Sequence, residues 1–199
     1  MSSTTAVVAL LGATPWSPPG IEPSAWRAAL AEDVVDLISA LSQVQPGLAG
    51  EAGDRALMSQ IGWPTTSVYE VPRATVRAAL EAAAADGHAR AAVLCADAPD
   101  LPGMLVGKLL QPLTTRQVAV APAFGGGLLG VASRLPVPDW LPDIDLADEE
   151  GLDKVRGAAP RRALVAAAPA WYRLRGPADL ARLDPRLEGW HATRALLGG

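Results

Sequence analysis

The sequence is short of the residues that most often carry metal and thiol chemistry. Cys95 is its single cysteine, and it has only two histidines, His88 and His191, far from each other. One cysteine excludes an internal disulfide, and a cytoplasmic location is expected. A zinc site, which draws three or four such ligands together, is not expected. Lysine is also scarce, Lys108 and Lys154 being the only two, while arginine is common; the net charge is −4. A nucleic-acid partner would call for a basic face, so none is expected. No apolar run approaches the roughly 20 residues of a membrane span. The opening MSSTTAVVALLGATP has no positive flank and reads as a first strand rather than a signal peptide, so no membrane partner is expected. Neither a Gly-x-Ser-x-Gly elbow nor a P-loop lysine motif occurs, so the hydrolase and P-loop readings fail.

What remains is a core-rich globular chain. Half of its 199 residues are hydrophobic and 19% are charged, ample material for one domain over 1–199. Ala6 to Leu11 is a short continuous apolar run, the pattern of a strand covered on both faces. The loop GATPWSPPG (12–20) has three prolines and cannot be helical. A helix is predicted from Pro23 to Leu41, with Ser24 as its N-cap and an apolar stripe of Trp26, Leu30, Val34, Leu37 and Leu41. Residues 46–53 read as loop, and 54–61 as a short helix ended by Gly62. A strand is predicted over 65–71, an alanine-rich helix over 75–86 with Gly87 as its stop, and a strand over 91–96. A helix at 105–113, strands at 118–122, 128–132 and 163–168, and a last helix opened by Gly176-Pro177 complete the pattern. The acidic segment 136–153 reads as a surface loop running into a helix to about Gly157. Strands alternating with helices predict an α/β fold with a mostly parallel sheet and helices on both faces.

Three stretches in this order resemble the GT-A nucleotidyltransferase-like superfamily. They are VLCADAPDLPG (93–103), VAPAFGGGLLGV (120–131) and YRLRGPADLARL (172–183). Nearest in pattern are uncharacterised glycosyltransferase-like proteins and small guanylyltransferases of cofactor biosynthesis. The resemblance implies a Rossmann-like GT-A single domain that binds a nucleotide or nucleotide-sugar at the carboxyl end of the sheet. It implies nucleotidyl or glycosyl transfer to a small metabolite. Asp97 is then the catalytic strand-end carboxylate that holds Mg²⁺ on the phosphates. Gly12, Ala13 and Thr14 lie over the nucleotide, and the backbone at Gly125 and Gly126 approaches its sugar or base.

The departures from the family pattern are as informative. The first loop has no basic residue before Arg27. Phe124 stands where the family has Asp, and Gly127 where it has Tyr. Arg173-Leu174-Arg175 replaces an Asp-x-Asp. Either the chemistry is altered, or a guanidinium substitutes for the metal's charge, or the protein is a degenerate binding or scaffolding subunit with a protein partner or a second copy. Trp16 and Trp140 would then offer a partner surface. A strand-end pocket of convergent polar groups would favour ligand chemistry; one filled by Trp16, Phe124 or an arginine would favour degeneracy.

Other readings stay open at this point. Asp97 also suits a local turn. Asp100 reads as a helix cap. Arg173 and Arg175, alternating on an extended segment, form a phosphate or carboxylate clamp, or else are solvated or pair with acids of 139–153. Asp143-Ile144-Asp145 reads as part of a solvated acidic face, Cys95 as a small core residue, His88 as a surface residue, and His191 as packing or a cap.

Overall fold

The computed structural model describes residues 4–198. Its centre is one seven-stranded sheet: β1 Thr5–Leu10, β2 Gln45–Gly50, β3 Ser67–Glu70, β4 Arg90–Cys95, β5 Val118–Pro122, β6 Leu128–Arg134 and β7 Val165–Ala167. The order is β3-β2-β1-β4-β6-β5-β7. Only β6 runs antiparallel to its neighbours. β1 and β4 form the middle, and their Ala6–Leu10 and Ala91–Cys95 runs are fully buried, as continuous apolar strands should be.

Helices cover both faces. They are α1 Pro23–Ala40, α2 Arg55–Ile61, α3 Val76–Ala85 and α4 Gly103–Leu110, followed by α5 Gly151–Ala158, the single turn α6 Pro177–Leu180 and α7 His191–Leu196. Tyr69, on the face with Val8, reaches Asp86 at the end of α3. Leu94 and Gly130, on the other face, meet Leu109 of α4. Gly103 brings α4 against Leu37 of α1 and Leu41 at its C-terminal cap.

Several local expectations are corrected. Residues 45–50 form β2, although Pro46, Gly47 and Gly50 look like loop. The glycine is required there: a Cβ at Gly47 would come within 3.0 Å of both Tyr69 and Val8. α1 is capped not by Ser24 but by Glu22, whose Oε2 accepts from the backbone N–H of Ser24 (2.7 Å) and Ala25 (3.2 Å). The chain continues past α6 into α7, whose N-cap position is Trp190 in the left-handed region; His191 follows it and is exposed. The 136–153 segment is more than a solvated face. Leu141, Ile144 and Leu146 are buried, and the segment is tied down by Val76 N–H to Ile144 O (3.0 Å) and Leu128 N–H to Leu146 O (2.8 Å). Arg77 donates to the carbonyls of Pro138, Asp139 and Leu141.

A second, smaller core joins the two ends of the fold. Trp26, Leu30 and Leu174 are buried together, covered by Trp16, Ile21, Leu180 and Leu183. Trp16 packs edge-on to Trp26 at 6.1 Å. Trp140 donates its Nε1 hydrogen to Gln117 (3.1 Å). Both tryptophans are therefore half-buried packing residues. Among the described residues, no helix is long and apolar enough to cross a membrane.

Candidate functional site

β1 and β4 are parallel neighbours from which the chain leads towards opposite edges of the sheet, from β1 to β2 and from β4 to β5. That makes their carboxyl ends the switch point at which α/β sheets bind ligands. A cleft opens here, lined by Gly12, Ala13 and Thr14 after β1, by Cys95 to Asp97 after β4, and by Arg27, Ala74, Asp145 and Arg173.

Its dominant feature is a buried ion pair. Arg173 Nε donates to Asp97 Oδ1 (2.7 Å) and Nη2 to Oδ2 (2.9 Å), a two-pronged match of guanidinium and carboxylate. The side chains are 6% and 7% exposed. The remaining arm, Nη1, donates to the carbonyls of Leu146 (2.6 Å) and Leu128 (3.1 Å). The backbone reinforces the pair, since Leu174 N–H donates to Asp97 O (2.7 Å). The turn around Asp97 therefore receives the C-terminal segment as if it were an added strand end.

Arg27 is tied in a similar way. Its Nη1 pairs with Asp54 (2.5 Å) and its Nε donates to Gly12 O (3.2 Å). The first loop has no basic residue, yet α1 delivers this one beside it. Asp145, set aside in sequence as part of an acidic run, lines the cleft; its Oδ1 accepts from Ala147 N–H (2.7 Å). Two carboxylates and two guanidiniums thus line the cleft and their charges sum to zero. The enclosed space is about 60 Å³, room for a few waters. Ligand pockets run to roughly 300–1,000 Å³.

Of the other candidates, only Cys95 lines this cleft. Gly125 and Gly126 form a positive-φ turn with Gly127, and their carbonyls accept from Arg175 Nη2 (3.3 and 2.7 Å). Arg173 and Arg175 therefore clamp different parts of their own chain. Phe124 is exposed and packs against Tyr172 at 4.7 Å. Asp100 is no cap: it is buried and accepts from Trp171 Nε1 (3.2 Å), while Pro102 stands at the N-cap of α4. Burial pushes the Asp100 carboxyl above its ordinary range, with the Trp171 hydrogen bond opposing. Cys95 is buried and its thiol is pushed far up by burial and by the neighbouring Asp97 charge; it is a core residue. The His88 side chain is largely covered, beside Thr4 (3.1 Å).

A divalent cation does not fit Asp97 as arranged here. Both of its oxygens are engaged by Arg173. Among the described residues, no group of three or more His, Cys, Asp or Glu side chains is placed to hold a metal.

Similarity to solved structures extends over the whole chain. This is the GT-A nucleotidyltransferase-like fold. A candidate nucleotide-diphospho-sugar transferase from Desulfovibrio desulfuricans superposes with a TM-score of 0.66 at 19% identity, covering 100% of this chain and 95% of its own. A CMP:2-keto-3-deoxy-manno-octonic acid synthetase, crystallised with CTP, gives 0.58 at 13% identity over 98% of this chain and 99% of its own. A Mycobacterium tuberculosis protein crystallised with manganese gives 0.58 at 17% identity, over 99% and 98%. No protein-family model and no curated protein sequence matches the chain. The GT-A architecture expected from the three ordered segments is thus present, with helices on both faces of a mostly parallel sheet.

Proposed function

We propose that this chain is a catalytically degenerate form of the nucleotidyltransferase-like fold, acting as a binding or scaffolding subunit rather than a metal-assisted transferase. The observation that carries this reading is the buried, two-pronged Asp97–Arg173 pair. Metal-assisted transfer needs a carboxylate free to take a cation, and the cation's charge offsets that of the departing phosphates. Here the guanidinium fills the place and satisfies the charge, and the surrounding cleft is small. Removing Asp97 from this pair would leave a buried arginine without its partner, so the arrangement resists reversal.

The alternative is a nucleotide or nucleotide-sugar site with altered chemistry, performing nucleotidyl or glycosyl transfer with Mg²⁺ held elsewhere. Its support is the convergence of Gly12–Thr14, Arg27, Asp97 and Asp145 on one strand-end cleft. Calorimetric titration separates the two. ATP, GTP, CTP, UTP and their sugar conjugates are titrated with and without Mg²⁺ or Mn²⁺, into the native protein and into Asp97→Ala. The degenerate reading expects no metal-dependent heat for any of them. Tight Mg²⁺-dependent binding that disappears in Asp97→Ala would sink it and identify the donor.

A further inference from the structure

A cavity larger than the strand-end cleft lies at the opposite end of the sheet. It lies where β1 and β4 begin, between the C-terminal end of α1 and the face of α4, and encloses about 340 Å³. That is within the ordinary range for a small-molecule site. Its lining is apolar at Leu41, Val44, Val106 and Leu110, and polar at Thr5, Gln43 and Gln111. Arg90 is the single charged residue lining it.

Arg90 is poorly satisfied by its own chain. Its Nε is buried with no hydrogen-bond partner. It stands directly opposite Arg134 in the β4–β6 pairing, so the two side chains share one sheet face. Arg134 spends its Nε and Nη2 on the carbonyls of Leu113 (2.6 Å) and Thr114 (2.5 Å), which leaves its charge uncompensated. Among the described residues neither arginine forms an ion pair with a carboxylate, and none lines the cavity. Like charges directly opposite across a strand pair are destabilising, and a buried donor without an acceptor costs more. A bound anion corrects both.

We infer that this cavity is a binding site for a small amphipathic anion: one carboxylate or phosphate head on Arg90, with an apolar body along Leu41, Val44, Val106 and Leu110. The site does not depend on the strand-end cleft. Gly107 supplies a clean means of closing it. It lines the cavity, and a Cβ there would meet nothing within 4 Å. A larger side chain would enter the empty space and strengthen α4, because glycine is a poor helix former.

The test uses octanoate and octyl phosphate as probes, with octanol as the uncharged control, in calorimetric titrations of the full chain. The expected result is one site per chain for at least one anion, with octanol much weaker. Arg90→Gln should weaken that anion by about tenfold or more, given the strength of charge-assisted hydrogen bonds. Gly107→Leu should abolish binding while leaving thermal stability equal or higher. Excess ATP with Mg²⁺ should not compete with the anion, which separates this result from the fate of the cleft. Preference for one anion identifies the head group. No binding of either anion to folded protein at millimolar concentration, or equal binding by native, Arg90→Gln and Gly107→Leu proteins, overturns the inference.

Discussion

Arg173 decides what the strand-end cleft is, and its value is best measured by removing it. Arg173→Met leaves Asp97 charged, buried and unpaired, and strips the donor from the carbonyls of Leu128 and Leu146. Breaking a buried pair from one side costs about 3–5 kcal/mol, and urea denaturation should show a loss of that order. The double variant Asp97→Asn with Arg173→Met should be less destabilised than the single one, since no unpaired charge remains. Asp100 gives a different signal. Burial raises its carboxyl above the unfolded value, so the folded state binds its proton more tightly. Its contribution to stability therefore increases as pH falls through the raised folded value towards the unfolded one, and is lost as pH rises. Asp100→Asn keeps an acceptor for Trp171 and removes the titration. Denaturation midpoints between pH 7 and pH 4 should shift upward more on acidification in the native protein than in this variant. The residue types at this site were legible in the sequence: Asp97, Arg173 and the Gly12–Thr14 loop were all singled out. That Asp97 and Arg173 bond to each other was not, because 76 residues separate them and no local pattern encodes such a contact. Asp145 was hidden for another reason. A dense acidic run reads as solvent-facing, and the buried Leu141, Ile144 and Leu146 that orient it are interleaved too irregularly to reveal a period.

The last helix shows how elements here borrow their ends from one another. α7 has no cap of its own. Asp33, on α1, accepts from the backbone N–H of Ala192 (2.9 Å) and of Thr193 (2.8 Å), so a carboxylate from one helix closes the first turn of another. Asp33→Ala should cost about 0.5–2 kcal/mol, the range for a lost cap, and speed hydrogen exchange at Ala192 and Thr193 ahead of the sheet. The FGGG turn is similarly specific. Gly127 has φ +75°, and a Cβ there would sit 2.8 Å from Leu146 O. Gly127→Ala should therefore destabilise by at least roughly 1–2 kcal/mol, the cost of the left-handed region alone, with a lower melting temperature as the readout. Helices with alanine-rich or striped patterns were legible because their period is internal. β2 was not, since Pro46, Gly47 and Gly50 carry the composition of a turn. Only the bulk of Val8 and Tyr69 beside Gly47 explains why small residues are needed there.

For the molecule as a whole, continuous apolar runs and alternating elements sufficed to predict the sheet class, and three ordered segments sufficed to predict the fold. They did not predict that the cleft would be closed by the chain's own final segment. Residues 171–183 bridge Ala123 through Trp171, fill the Asp97 turn and cover Trp26. A chain ending at residue 170 loses Arg173 from Asp97 and Leu174 from the second core at once. It should unfold without a sharp cooperative transition in urea, with Trp fluorescence shifted towards that of exposed indole.

The order in which these partners are made has its own consequence. Asp97 leaves the ribosome 76 residues before Arg173, and Asp33 159 residues before Ala192. At about 5–20 residues per second, the first carboxylate waits roughly 4–15 s for its cation, and the second about twice as long. Throughout that interval the strand-end turn is better left hydrated, because burying an unpaired charge is costly. The central strands β1 and β4 can pair during synthesis; the cleft above them closes only after Arg173 has emerged.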